Sequence, residues 1–231
     1  MSEPSFPPLF SGQADPDPFN ASCAKADKGC DAGLVVYDLG ADRLRAAIVF
    51  APDVTLGEAM VMLPLCGVGF QNALGALSPP ETAVHLEWAG NIRINGAVCG
   101  ALDIASDTTN ADEVPNWLVV GLELRLWPES EETGGTPDQT ALYAEGCADV
   151  DAVALLEAWV RHTLVGINAW TDTGVATLHK QWEGLAHGIG EPLTLGDKSG
   201  TFLGIDERFG ILLRNEATSL MIPLTYLLKD V

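Results

Sequence analysis

The sequence predicts an α+β chain, and three observations carry that reading. Strand-like runs recur as tight hairpins, "GLVVYDL" and "RLRAAIVFA" around "GAD", then "AVHLEW" (83–88), a turn at "AGN", and a two-strand return around "INGA" into "VCGALDIA" (98–105). Long segments between them repeat apolar residues at helical spacing, as do Leu155, Leu156, Trp159, Leu164 and Ile167. From Gly188 the period changes from helix to short strands separated by turns. Hydrophobic residues make up 47% of 231, enough for one full core and a small second module.

Each element follows in order. Residues 1–20 hold five prolines among small polar residues and offer little to pack, so they read as a flexible start. "FNASCAKADKG" is a short helix with Asp17 as cap and Gly29 at its far end. The first hairpin follows, over 33–39 and 43–51. Thr55 then caps a long helix, "LGEAMVMLPLCGVGFQNALGAL", apolar on nearly every face and bent near Pro64. Asn95-Gly96 is the strongest turn signal in the chain, because both central positions of a type I′ turn need positive φ. Residues 116–128 form another strand, "ESEETGGTPD" an acidic loop, and two helices run through "DVDAVALLEAWVRHTLVGINAWTDTG" and "VATLHKQWEGLAHG". Four short strands with turns at 197–200, 206–210 and 215–218 close a small barrel. The expected domains are thus 21–187 and 188–231.

Charge narrows the function classes. With 32 acidic against 12 basic residues, the net charge of −20 disfavours nucleic acid and anionic membranes as partners. Between Ala46 and Val160 the basic residues are Arg93 and Arg125 alone, leaving few cations in sequence for a polyphosphate. The five cysteines show no CxxC pair or nearby histidine and read as buried small hydrophobes of a reducing compartment. The four histidines are equally dispersed, and no metal site is expected. No basic-then-apolar leader opens the chain and no unbroken apolar run spans a bilayer, so a cytoplasmic protein is expected.

The element order and several motifs resemble the biotin/lipoate protein ligase family. "EWAGNI" stands where that family usually has "KWPNDI", "NGAVCGALDI" where it has "GKKLAGILVE", and "VVGLELRL" where it has "IGIGINVN". "TALYAEG" is similar to "TSLREEG", and "TFLGIDERFGILLR" to the C-terminal SH3-like barrel type "GTAVGIDEDGALLLR". The resemblance implies a mixed β-sheet backed by helices, of the class II tRNA synthetase type, with a C-terminal SH3-like barrel. It also implies binding of biotin or lipoate, activation of the carboxylate by ATP as an acyl-adenylate, and transfer to a carrier-protein lysine. Relatives dimerise, so a homodimer is a further expectation.

The motif residues depart from the family where charge is needed. The phosphate loop between the first two strands shrinks to "DLGADRLR", with Arg43 and Arg45 either its remnants or a charged strand edge. Gly100 locates the family's catalytic lysine at Ala97 or Val98, and no lysine occurs between Lys28 and Lys180. No residue is therefore assigned as catalytic. Asn91 replaces the usual Asp and either contacts ligand or turns the chain. Trp88 either walls a pocket or is a buried strand aromatic. Gly96 serves its turn, while Cys99 and Gly100 mark close approach to ligand or tight sheet packing. Glu123 and Arg125 form an ion pair across the pocket or a surface pair on alternate positions, and Asp38, near the family's biotin-contacting Gln, is equally open. Two functions follow: a divergent ligase-like protein holding an apolar carboxylic acid or its adenylate, or a non-catalytic interaction module. A cysteine nucleophile at Cys99 lacks a placed base.

Overall fold

The computed structural model describes residues 3–128, 136–215 and 218–230; most of the acidic loop (129–135) and the middle of the turn at 215–218 lie outside the described residues. The segment expected to be loosely packed supplies a strand, β1 (Ser11–Ala14), parallel to β2 (Leu34–Leu39). Its four residues are exposed, so backbone hydrogen bonds to β2 hold it rather than a buried face. Phe6 and Phe10 pack against the core upstream of it.

Helix α1 (Pro18–Ala26) begins with proline, whose missing N–H costs nothing in a first turn. The Asp17 carboxylate accepts from Asn20 Nδ2 at 2.8 Å instead of capping the backbone. A turn at 40–42 joins β2 to β3 (Arg43–Phe50). The long apolar helix divides into α2 (Leu56–Ala59) and α3 (Met62–Leu77). Pro64 explains the break, since its ring opposes the Met60 carbonyl and it has no N–H to donate. This 22-residue stretch, with hydropathy 1.5, has the length and composition of a span but is 72% buried within the protein. Three antiparallel strands follow: β4 (Val84–Leu86), β5 (Asn91–Ile94) and β6 (Ala97–Ser106). Asn95 (φ 51°) and Gly96 (φ 96°) make the expected turn between the last two.

After β7 (Leu118–Arg125) and a 3-10 turn (Leu142–Glu145), the chain forms α4 (Ala152–Thr173) and α5 (Ala176–Leu185). Asp151 caps α4 by accepting from the Ala154 N–H at 2.8 Å. The main sheet has the order β1-β2-β3-β7-β6-β5-β4. On one face, Leu44, Ile48, Leu102, Ile104, Val120, Leu122 and Leu124 join α3 and α4 in a single core, where Trp159 Nε1 donates to the Cys66 carbonyl at 3.0 Å. On the other face α1 covers one end only, through Cys23 and Ala26 against Ala47, Val49, Ala105 and Val119.

The C-terminal strands β8 (Pro192–Leu195), β9 (Lys198–Ile205), β10 (Ile211–Arg214) and β11 (Ser219–Ile222) form an antiparallel sheet in the order β11-β10-β9-β8. Three ties join it to the rest of the protein. Trp88 Nε1 donates to the Phe209 carbonyl at 2.7 Å, and a His179 ring nitrogen lies 3.0 Å from the Asp206 carbonyl oxygen. Last, the Lys229 N–H donates to the Ile104 carbonyl at 2.9 Å, laying the chain end along β6.

Candidate functional site

Strand register builds a polar platform on the face of the main sheet that α1 leaves uncovered. Side chains alternate across a strand, so residues opposite one another share a face. Asp38 stands opposite Arg45, Arg45 opposite Glu123, Glu123 opposite Ala101, and Ala101 opposite Asn91. One row thus crosses β2, β3, β7, β6 and β5. Beside it toward α1 lie Ala47, Gly121 and Asp103, with the Phe19 ring on Gly121, where a Cβ would come within 2.6 Å of Phe19 Cδ2. On the other side Arg43 stands directly opposite Arg125.

The few cations of this acidic chain gather here. Arg43, Arg45, Arg93, Arg125 and Lys229 are five of the 12 lysines and arginines, and all project from this face or its border. Sequence order concealed the concentration, because it arises from pairing between distant strands. Arg45 pairs with Asp38, Arg43 with Glu123, and Arg93 with Glu87. Arg125 has no carboxylate partner among the described residues; its Nη1 donates to Gln139 Oε1 at 2.9 Å. The turn at 40–42 closes against the end of β7, where the Leu126 N–H donates to the Asp42 carbonyl at 2.7 Å. Arg43 and Arg125 therefore flank this turn.

The residues singled out from sequence divide between two places. Asp38, Asn91, Glu123 and Arg125 lie on the platform. Glu123 and Arg125 do not pair with each other, each having another partner. Asn91 donates from Nδ2 to Glu87 at 2.7 Å, and Arg93 holds the same carboxylate while donating to the Gly96 carbonyl at 2.6 Å. Gly96 has open space around its α-carbon. Ala97 is half-buried at the start of β6, beside the segment in which Gln139 bridges to Val98.

Trp88 is elsewhere: it is buried on the helix side with Pro64, Trp182 and Phe209, a junction between the two sheets. Cys99 is buried at a bulge of β6 and its thiol donates to the Arg125 carbonyl at 3.4 Å. Burial pushes that thiol up to about 12, with the Arg125 charge opposing the shift, so it is no nucleophile at neutral pH. At Gly100 a Cβ would fall 2.3 Å from the Glu123 carbonyl oxygen, which makes tight packing of β6 on β7 the reason for glycine. Reading the sequence in order missed Gly121, Asp103 and Lys229, and weighed Arg43 and Arg45 only as loop remnants or a charged strand edge.

Among the described residues no cluster of three metal-ligating side chains occurs. Clefts of about 600 Å³ and 290 Å³ lie away from the platform and share Asp53, Val54, Trp170 and Thr171.

Comparison with known proteins bears on the family and the fold. The biotin/lipoate A/B protein ligase family matches residues 6–184, and a domain of unknown function (DUF4444) matches 189–230. The chain is similar, at 60% identity and TM-score 0.94, to the crystal structure of a biotin protein ligase-like protein of unknown function from Silicibacter sp. TM1040, covering 98% of this chain and 100% of that one. It shares its fold with biotin protein ligase from Aquifex aeolicus, at 15% identity, TM-score 0.72, and 93% and 97% coverage. Biotin protein ligase from Leishmania major, solved in complex with biotinyl-5-AMP, matches at 15% identity, TM-score 0.59, and 94% and 99% coverage. No curated protein sequence matches the chain.

Proposed function

Because the chain belongs to the biotin/lipoate A/B protein ligase family, we propose that its platform binds a small carboxylic acid with an apolar body, or the acyl-adenylate of that acid. One observation carries this reading. Arg43 and Arg125 are paired directly across β3 and β7, an arrangement of like charges that destabilises a sheet unless an anion bridges them. Arg43 is met by the Glu123 and Asp42 carboxylates, whereas Arg125 donates to the uncharged Gln139 amide. A carboxylate or phosphoryl group accepts from both guanidiniums in planar, charge-assisted hydrogen bonds. Ala101 and the Phe19 ring, which covers Gly121, then offer apolar surface to the body of the ligand beside Glu123.

Within this reading the protein is divergent. The 40–42 turn replaces a phosphate-enclosing loop, and Ala97 and Val98 stand where the family's lysine is expected. Binding without efficient adenylation follows, since positioned cations supply most of the stabilisation of such a transition state. The five free thiols suit a reducing, cytoplasmic setting. ATP, a carrier-protein lysine and a homodimer belong to the same reading only if acyl transfer persists.

Pyrophosphate release with ATP plus biotin, lipoate or octanoate tests transfer, and calorimetric titration with the same acids and with biotinyl-5′-AMP tests binding. Saturable binding with no pyrophosphate is the expected result; silence toward every compound in both assays removes the reading. The pairs Asp38–Arg45, Glu87–Arg93 and Glu123–Arg43 favour a second reading, a non-catalytic interaction module whose platform is internally neutralised.

A further inference from the structure

The two clefts away from the platform adjoin one another, because Asp53 and Trp170 line both. The smaller, of about 290 Å³, is walled by Phe10, Phe50, Val54, Met62 and Ile167 and is apolar. The larger, of about 600 Å³, is bordered by Glu58 of α2 and by Glu207 and Arg208 from the turn between β9 and β10. It therefore sets three carboxylates, with Asp53, against one guanidinium. Among the described residues none of these four side chains has an ion-pair partner.

Backbone strain points to the same place. Among the described residues three non-glycines have positive φ: Leu9 (76°), Asn95 (51°) and Phe209 (62°). Asn95 is the residue type that its turn favours, and the Phe209 ring is buried against His179 and Trp182. Leu9 has neither excuse. It stands where the turn at 7–10, closed by the Phe10 N–H donating to the Pro7 carbonyl at 3.1 Å, favours glycine. Its side chain is 88% exposed at the border of the smaller cleft. Gly33 holds the turn in place, since a Cβ there would fall 2.1 Å from the Leu9 carbonyl oxygen. A strained, exposed leucine gains nothing from the fold alone.

From these observations we infer that the joined clefts are a second small-molecule site, independent of the platform, for an amine carried on an apolar body. The body fills the smaller cleft, whose size stands at the lower end of ligand pockets, about 300–1,000 Å³. Leu9 covers it and so recovers apolar contact that it lacks in the free protein. The ammonium lies at the boundary of the clefts, where the Asp53 carboxylate accepts from it and the aromatic surface of Trp170 attracts it. An acid at that place would meet Asp53, Glu58 and Glu207 as like charges. The two sites thus take ligands of opposite sign.

The test compares 4-phenylbutylamine with the uncharged 4-phenylbutan-1-ol by calorimetric titration of the full chain. One amine is expected to bind per chain, about fivefold or more tighter than the alcohol, and with the same affinity at saturating biotinyl-5′-AMP. Asp53→Asn is expected to bring the two ligands within about twofold of each other while the alcohol still binds. Leu9→Gly is expected to weaken both ligands about threefold or more, although its urea midpoint is no lower than that of wild type because glycine accepts positive φ. No amine binding, equal affinity for amine and alcohol, several amines per chain insensitive to Asp53→Asn, or competition with biotinyl-5′-AMP overturns the inference. So does a lowered Leu9→Gly midpoint with unchanged amine affinity, which assigns Leu9 to folding alone. Acid binding at the platform is read in its own titration and survives each of these results.

Discussion

Replacing Gly100 by alanine places a Cβ 2.3 Å from the Glu123 carbonyl oxygen and 3.1 Å from the Leu124 Cα. Both are backbone atoms of β7, so no side chain can swing aside. Relief to an ordinary contact requires strands β6 and β7 to part by about 1 Å, near the distance at which a carbon contact becomes favourable. Overpacking of this kind costs about 1–3 kcal/mol, and about 1 kcal/mol more follows for a ladder hydrogen bond stretched out of range. The expected loss is about 2–4 kcal/mol, read by equilibrium unfolding in urea as a midpoint lowered by about 1–2 M. Gly96→Ala is the control, because its α-carbon has no atom within 4 Å of a Cβ and only positive φ opposes the change. Its cost is about 1–2 kcal/mol. A Gly100→Ala midpoint within about 0.2 M of wild type, together with lost binding of biotinyl-5′-AMP, would refute the packing argument and return Gly100 to a ligand-contact role.

Further predictions use the same geometry. Trp88→Phe removes the donor to the buried Phe209 carbonyl and is expected to cost about 1–3 kcal/mol in urea unfolding; a loss under about 0.5 kcal/mol would show that the junction does not depend on that bond. Arg125→Met removes the like charge opposite Arg43, so it should raise the urea midpoint of the unliganded protein or leave it no lower, and should weaken biotinyl-5′-AMP about tenfold or more, with the remaining affinity less sensitive to salt; unchanged affinity would exclude Arg125 from the site. Burial pushes the Cys66 and Cys99 thiols up to about 12 and Cys23 up to about 11. In the unfolded chain these thiols ionise first, near pH 8.5. Their contribution to stability is therefore complete below that pH and is lost as pH rises toward the folded values. A urea midpoint that falls from pH 8 to pH 10, and falls less in the Cys66→Ala, Cys99→Ala double variant, is expected; identical slopes would contradict the burial argument.

Local signals carried much of the fold. Asn95-Gly96 announced its turn because positive φ is a property of two residues, and Pro64 announced the helix break because the missing N–H and the ring act within one turn. β1 left no such signal, since an exposed edge strand is held by backbone bonds that any sequence makes. The site was harder to read for the same reason in larger form. Asp38, Asn91, Glu123 and Arg125 stand at motif positions, but the opposition of Arg43 to Arg125 depends on register between β3 and β7, where Arg43 and Glu123 are 80 residues apart. Trp88 shows the limit of a motif: expected at the end of a strand, it stands in the turn after β4, where its ring meets Phe209. Lys229 was placed by the docking of a second sheet, which no spacing within the first can indicate.

The most direct test of the central claim is a crystal structure of the protein with biotinyl-5′-AMP. The phosphoryl group is expected within hydrogen-bond distance of Arg43 and Arg125, with the acyl body over Ala101 and the Phe19 ring. Density for the compound in the clefts around Trp170, or an unoccupied platform at saturating concentration, would contradict the account.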